Sequence, residues 1–164
     1  MHDDTGRRRV IIERIQPAID AGRFPIKRTI GERVVVEADI FADGHDLLSA
    51  VLCYRLARAA LWTEVSMVPM DNDRWQGHFV VSQLGRYFYT VQAWVDHFAT
   101  WHQALRKRVA AGQEVQSELL VGAELIEAAS QRAVDTDAAQ LQADRKSTRL
   151  NSSHPQLSRM PSSA

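Results

Sequence analysis

Apolar and polar positions alternate with a period of two up to about residue 96, and the period becomes helical beyond it. Residues 84–96 carry the clearest case. Tyr87, Tyr89, Val91, Ala93 and Val95 fall on one face, with Phe88, Thr90, Gln92 and Trp94 on the other. Aromatic and β-branched side chains suit a pleated surface that is buried on one side. The stretch reads as a central strand, with shorter strands before it to pair around it.

The earlier segments follow the same rule. Residues 10–15 form a first strand, stopped by Pro17, which has no N–H to give to a ladder. Gly22 to Pro25 mark an irregular connection ahead of residues 27–30. Residues 33–41 turn Val34, Val36, Ala38 and Ile40 inward, and Asp43-Gly44 is a turn signal. Leu48, Ala50, Leu52 and Tyr54 share a face of the next strand. Residues 61–67, ending at Pro69, predict another. After the turn at Asp71-Asn72-Asp73, the alternation of Trp75, Gly77, Phe79 and Val81 predicts the strand before residues 84–96. About seven short strands with regularly spaced turns predict an immunoglobulin-like or fibronectin-like β-sandwich. Tyr87 stands where such folds place a tyrosine corner, whose hydroxyl bonds back to nearby backbone.

From His97, Phe98, Trp101, Leu105 and Val109 line one helical face, and Gly112 is a natural stop. Val115, Leu119, Gly122, Ala123 and Ile126 line a second helix, and residues 133–143 predict a third. The prediction is therefore a mostly β chain. A disordered lead-in (1–9) precedes a sandwich (10–96), a helical extension (97–143) and a disordered tail (144–164). Helical stripes this apolar predict a partner surface or the start of an inserted bundle.

Of the 164 residues, 45% are hydrophobic and 24% charged, ordinary values for a globular domain. No apolar run approaches the roughly 20 residues of a membrane span. The first residues contain no apolar signal-peptide core, so a cytoplasmic protein is expected. The net charge of zero hides a division. The basic residues after position 144 are Arg145, Lys146, Arg149 and Arg159, with no acid among them, which leaves the body acidic and argues against nucleic-acid binding. The lone cysteine, Cys53, lies in an alternating strand and is expected to be a buried free thiol. The serine-rich stretch from Lys146 has no periodicity and resembles adapter- or vector-derived sequence.

Candidate chemistry is sparse. Asp71-Asn72-Asp73 lacks the ligand and glycine that a calcium loop needs in its next positions, so a β-turn explains it. Asp43, His45 and Asp46 flank a turn. His97 and His102 are five apart, on different helical faces, and do not form a zinc pair. No catalytic, cofactor-binding or metal-binding residue is assigned. The tryptophans fit core packing, yet Trp62, Trp75 and Trp94 are also candidates for stacking against a sugar ring.

Three strings carry a family resemblance: Gly22-Arg-Phe-Pro-Ile-Lys-Arg28, Gly31-Glu-Arg-Val-Val-Val-Glu-Ala-Asp-Ile-Phe-Ala-Asp-Gly-His-Asp46 and Leu84-Gly-Arg-Tyr-Phe-Tyr-Thr-Val-Gln-Ala-Trp-Val-Asp96. With Val10-Ile-Ile-Glu-Arg14 and Phe98-Ala-Thr-Trp101, they resemble the N-terminal region of bacterial α-1,4-glucan:maltose-1-phosphate maltosyltransferases over residues 7–143. The resemblance implies a parent hexosyltransferase that lengthens α-1,4-glucans from maltose 1-phosphate. It also implies a fibronectin-like sandwich interrupted by a helical bundle, and a separate catalytic barrel to which no residue here corresponds. On this reading the chain is silent by itself, scaffolds the barrel and contributes to a homodimer through Phe98, Trp101, Leu105, Val109, Leu119 and Ile126. The alternative is a stand-alone α-glucan-binding module using one exposed tryptophan; a third reading, an enzyme in its own right, has no residue to rest on.

Overall fold

The computed structural model describes residues 10–132. Seven strands come first: β1 (Val10–Gln16), β2 (Arg33–Ala42), β3 (Leu48–Leu56), β4 (Thr63–Ser66), β5 (Val68–Pro69), β6 (Arg74–Val80) and β7 (Tyr87–Val95). Helices α1 (His97–Ala110) and α2 (Gln116–Ser130) follow. The chain divides into two compact units between Asp96 and His97. The proposed third helix, the lead-in and the serine-rich tail lie outside the described residues.

The first unit is two antiparallel sheets, ordered β1-β2-β6-β5 and β4-β3-β7. Between them the inward positions of the alternating strands meet. Val34, Val36, Ala38 and Ile40 of β2 pack with Trp75 and Phe79 of β6, Ala50 and Leu52 of β3 and Val91 of β7. Tyr54 stacks on Phe79 at 4.5 Å between ring centroids, adding directional contact to the area buried. Gly77 leaves room for this packing, because a Cβ there would lie 3.1 Å from Met67 Cγ and 3.2 Å from Leu52 Cβ.

Two expectations are corrected. Residues 84–96 do not give a central strand: β3 is the centre of its sheet, flanked by β4 and β7. Alternation reports which face of a strand is buried and carries no information on its neighbours. Residues 61–69 split between sheets, with β4 pairing with β3 and β5 with β6. Met67 is the crossing point, its side chain in the core and its N–H donating to the Ala50 carbonyl.

The turns behave as their residues dictate. Asn72 and Asp73 both take positive φ, 57° and 58°, as a tight hairpin turn requires between β5 and β6. The Tyr87 hydroxyl accepts from the Gln83 N–H at 3.2 Å and lies 3.3 Å from the Ser82 hydroxyl, which is the predicted corner.

In the second unit, α1 ends in a Schellman arrangement. Gly112 at φ 65° donates to the Val109 carbonyl, and Gln113 donates to that of Arg108. The two helices meet through Trp101, whose indole N–H donates to the Glu118 carbonyl at 2.6 Å while its ring lies over Gly122. Arg108 pairs with Glu118 at 3.0 Å. No helix among the described residues is long and apolar enough to cross a membrane.

Candidate functional site

The tryptophans separate by strand register. Trp75 faces inward on β6, is 8% exposed and belongs to the core, so it offers no ring to a ligand. Trp62 and Trp94 face outward at 43% and 46% exposure. Trp62 is not a free platform, because the Arg55 guanidinium lies over its ring at 4.9 Å and over the Phe88 ring at 5.7 Å. Arg55 pairs in register with Phe88 across β3 and β7, and Trp62 lies just ahead of β4, outside the strand predicted for it, with its ring against the same guanidinium. Arg55 and Phe88 escaped the sequence reading. Each sits on the face opposite the apolar stripe of its strand, but only the register sets them side by side.

Cys53 is also outward by register, paired with Thr90 and Glu64, yet it is only 2% exposed. Burial pushes the thiol above its ordinary pKa, and the Glu64 charge adds to the shift. In the folded protein the thiol therefore holds its proton more tightly than in the unfolded chain. Its contribution to stability is complete below the ordinary thiol pKa of about 8.5 and is lost as pH rises through the higher folded value. Urea midpoints at pH 7.5 and pH 10 are expected to fall further for the wild type than for Cys53→Ala. Iodoacetamide at the lower pH is expected to leave the folded thiol unlabelled.

On the side where β1 faces β7, the sandwich is open. A cavity of about 990 Å³ is lined by Ile12, Ile15, Val34, Phe79, Tyr87 and Tyr89, among others. The Tyr89 hydroxyl donates to the Pro17 carbonyl at its wall, and burial raises the Tyr89 pKa.

The helical candidates also separate. Ile126 is buried, and Trp101, Leu105 and Leu119 are half-buried. Phe98 and Val109 remain exposed, as do Leu120 and Val121, which the stripe of α2 did not include. The charged side chains that line the cavity are Glu13, Arg14, Arg23, Arg28 and Arg86. Among the described residues no group of three or more His, Cys, Asp or Glu side chains could hold a metal ion.

Comparison with known proteins gives one consistent family. The family model for "Alpha-1,4-glucan:maltose-1-phosphate maltosyltransferase, domain N/S" matches residues 8–161. Proteins named α-1,4-glucan:maltose-1-phosphate maltosyltransferase are similar to it in several bacteria. That of Chlorobaculum tepidum is 51% identical over 136 residues, which is 83% of this chain and 20% of the relative. That of Myxococcus xanthus is 48% identical over 128 residues, 76% of this chain and 19% of the relative. That of Methylacidiphilum infernorum is 42% identical over 122 residues, 74% of this chain and 18% of the relative. The chain thus spans about a fifth of the length of the relatives it matches. With a sandwich that leads into helices and a match along nearly its whole length, the chain belongs to the α-1,4-glucan:maltose-1-phosphate maltosyltransferase family, in its N/S domain.

Proposed function

We propose that this chain is the N-terminal, non-catalytic part of a cytoplasmic enzyme that lengthens α-1,4-glucans with maltosyl units from maltose 1-phosphate. Within that enzyme its role is structural: the sandwich scaffolds the catalytic barrel, and the helices contribute to a homodimer.

The observation that carries this reading is the edge of β7, which pairs with β3 alone among the described residues. Natural sheets blunt their edges with charge, proline, bulges or short strands. β1 has a register shift between Glu13 and Gln16 and then Pro17, β4 has four residues including Glu64, and β5 has two, one of them Pro69. β7 has none of these devices. It runs nine residues without charge or proline, in unbroken register with β3, beside the open cavity. An edge of this kind is suited to a further strand from the continuing polypeptide, so the sandwich is built as part of something larger. The exposed Phe98, Val109, Leu120 and Val121 support the dimer in the same way.

Two measurements test the reading. The chain by itself is expected to release no phosphate from maltose 1-phosphate with a glucan acceptor, whereas release at an enzymatic rate would refute the non-catalytic assignment. In the full-length enzyme, Phe98→Asp with Val109→Asp is expected to shift sedimentation from dimer to monomer. An unchanged dimer would remove the helices from the interface.

A further inference from the structure

We infer that the loop end of the sandwich formed by residues 27–32, 57–62 and 81–86 rests on an anionic lipid surface, with Leu61 and Leu84 inserted among the acyl chains. The inference goes beyond the structural role proposed above and does not depend on it. Register brings the three loops together. Arg33 pairs with Val80 and Leu56 with Tyr87, so the chain leading into β2, the β3-β4 loop and the β6-β7 loop emerge at the same end. They are also tied to one another. Gly31 donates to the Val81 carbonyl at 2.8 Å, Ala57 to the Arg86 carbonyl at 2.7 Å, and the Arg58 guanidinium to the Gln83 side-chain oxygen.

Two properties set this end apart. The first is the exposure of its apolar tips. Leu61 and Leu84 are 84% and 82% exposed, whereas no other large apolar side chain among the described residues exceeds the 60% of Val68. Side chains this exposed pack against almost nothing in the chain, so their apolar surface gains free energy only when an apolar medium reaches it. Ile30, 55% exposed, adds a third such side chain on the remaining loop. The second property is charge. With Arg33, the three loops hold Lys27, Arg28, Arg33, Arg58 and Arg86 against the single acid Glu32, which takes Arg28 at 3.2 Å. The other four cations are exposed and make no ion pair among the described residues. At the opposite end, the loops at 43–47 and 71–73 carry Asp43, Asp46, Asp71 and Asp73 with no lysine or arginine.

The two properties together specify the occupant. An anionic lipid surface supplies negative headgroups for the four cations and an apolar layer beneath them for the leucines. A soluble polyanion meets the cations but leaves the leucines in water. Side chains more than 80% exposed stand out from the surface, so a protein partner needs a matching recess, while a lipid interface takes projecting tips without one. Trp62, next to Leu61 and 43% exposed, is of the residue type that concentrates at headgroup depth.

Cosedimentation of the full-length enzyme with lipid vesicles tests this. Binding to vesicles of phosphatidylglycerol with phosphatidylcholine is expected to exceed binding to phosphatidylcholine alone by about tenfold or more at low ionic strength, and to weaken as salt rises. Leu61→Ser with Leu84→Ser is expected to reduce binding to the anionic vesicles about tenfold, and Lys27→Gln with Arg86→Gln by about tenfold or more. All four positions are exposed on loops, so circular dichroism of both variants is expected to match the wild type. The comparison of the two lipid compositions needs no variant, and absence of wild-type binding to the anionic vesicles would overturn the inference. Binding that both double variants keep would place the membrane contact elsewhere on the enzyme and overturn it as well. Loss in the cation variant alone, with the leucine variant binding like the wild type, would show an electrostatic contact without insertion and overturn the assignment of the leucine tips.

Discussion

Leu52→Ala is expected to destabilise the sandwich by about 3–5 kcal/mol, within the range for deleting a fully buried leucine from a well-packed core. Leu52 is 0% exposed at the middle of β3, the central strand of its sheet, and it reaches across to the Gly77 position of β6 in the opposite sheet. A cavity there has little means of collapse, because β3 is held on both sides by β4 and β7. Against a total stability of about 5–15 kcal/mol for a typical domain, the loss is a large fraction. Urea denaturation followed by tryptophan fluorescence is expected to show a lower midpoint with an unchanged slope. The neighbouring Val51→Ala lies on the outer face and is expected to cost under about 1 kcal/mol. Equal losses at the two positions would mean that the inner and outer faces are assigned the wrong way round.

Gly122→Ala is expected to unpack the helical hairpin. An added Cβ would lie 2.0 Å from Trp101 Cζ2 and 2.6 Å from Cε2 and Cη2, so the indole cannot stay in place. Displacing it also takes the indole N–H from the Glu118 carbonyl. Overpacking of this kind costs about 1–3 kcal/mol, and the lost hydrogen bond adds about 1 kcal/mol. Alanine has the higher intrinsic helix propensity, which works in the other direction by roughly 1 kcal/mol. The clash and the lost bond together exceed it. Circular dichroism is expected to show helix retained at low temperature but melting earlier, and Trp101 emission to shift to the red. A variant as stable as the wild type would show that Trp101 has another resting place on α2. The companion Trp101→Ala removes the clash and separates steric from propensity effects.

The strand faces were legible because a strand repeats with a period of two. Spacing alone put Tyr87 and Val91 on one face of their strand with Trp94 on the other, and Trp75 with Phe79 on one face of theirs, and the structure buries Val91, Trp75 and Phe79. The tyrosine corner and the Gly112 stop were legible for a related reason, since each depends on a few residues near in sequence. Strand partners were not legible. Pairing is made by hydrogen bonds between backbones, which every residue but proline supplies alike, so nothing in residues 84–96 said that β7 would be an edge. The division of residues 61–69 was hidden too, because Met67 turns inward in either arrangement.

The aromatic candidates show the same limit. Sequence placed Trp62, Trp75 and Trp94 in strands but could not rank their exposure, since burial depends on what lies opposite. Arg55 was overlooked because its role arises from two rings far apart in sequence, Trp62 and Phe88, which the fold brings against one guanidinium. On the helices, the stripe placed Ile126 and Gly122 on one apolar face, and only the structure showed that this face is buried within the chain while Leu120 and Val121 are exposed.

By itself, then, the sequence determined the alternation that makes a sandwich, the change of period that makes helices, and the strings that point to the family. Those are properties of neighbours along the chain and of residue type. Tertiary structure alone decided which strand is central, which strands lie at the sheet edges and which tryptophan meets solvent. It also placed Arg55 between two aromatic rings with one donor unmet. These depend on contacts between distant segments, whose energies are set by complementary shape and hydrogen bonding in three dimensions rather than by any local pattern.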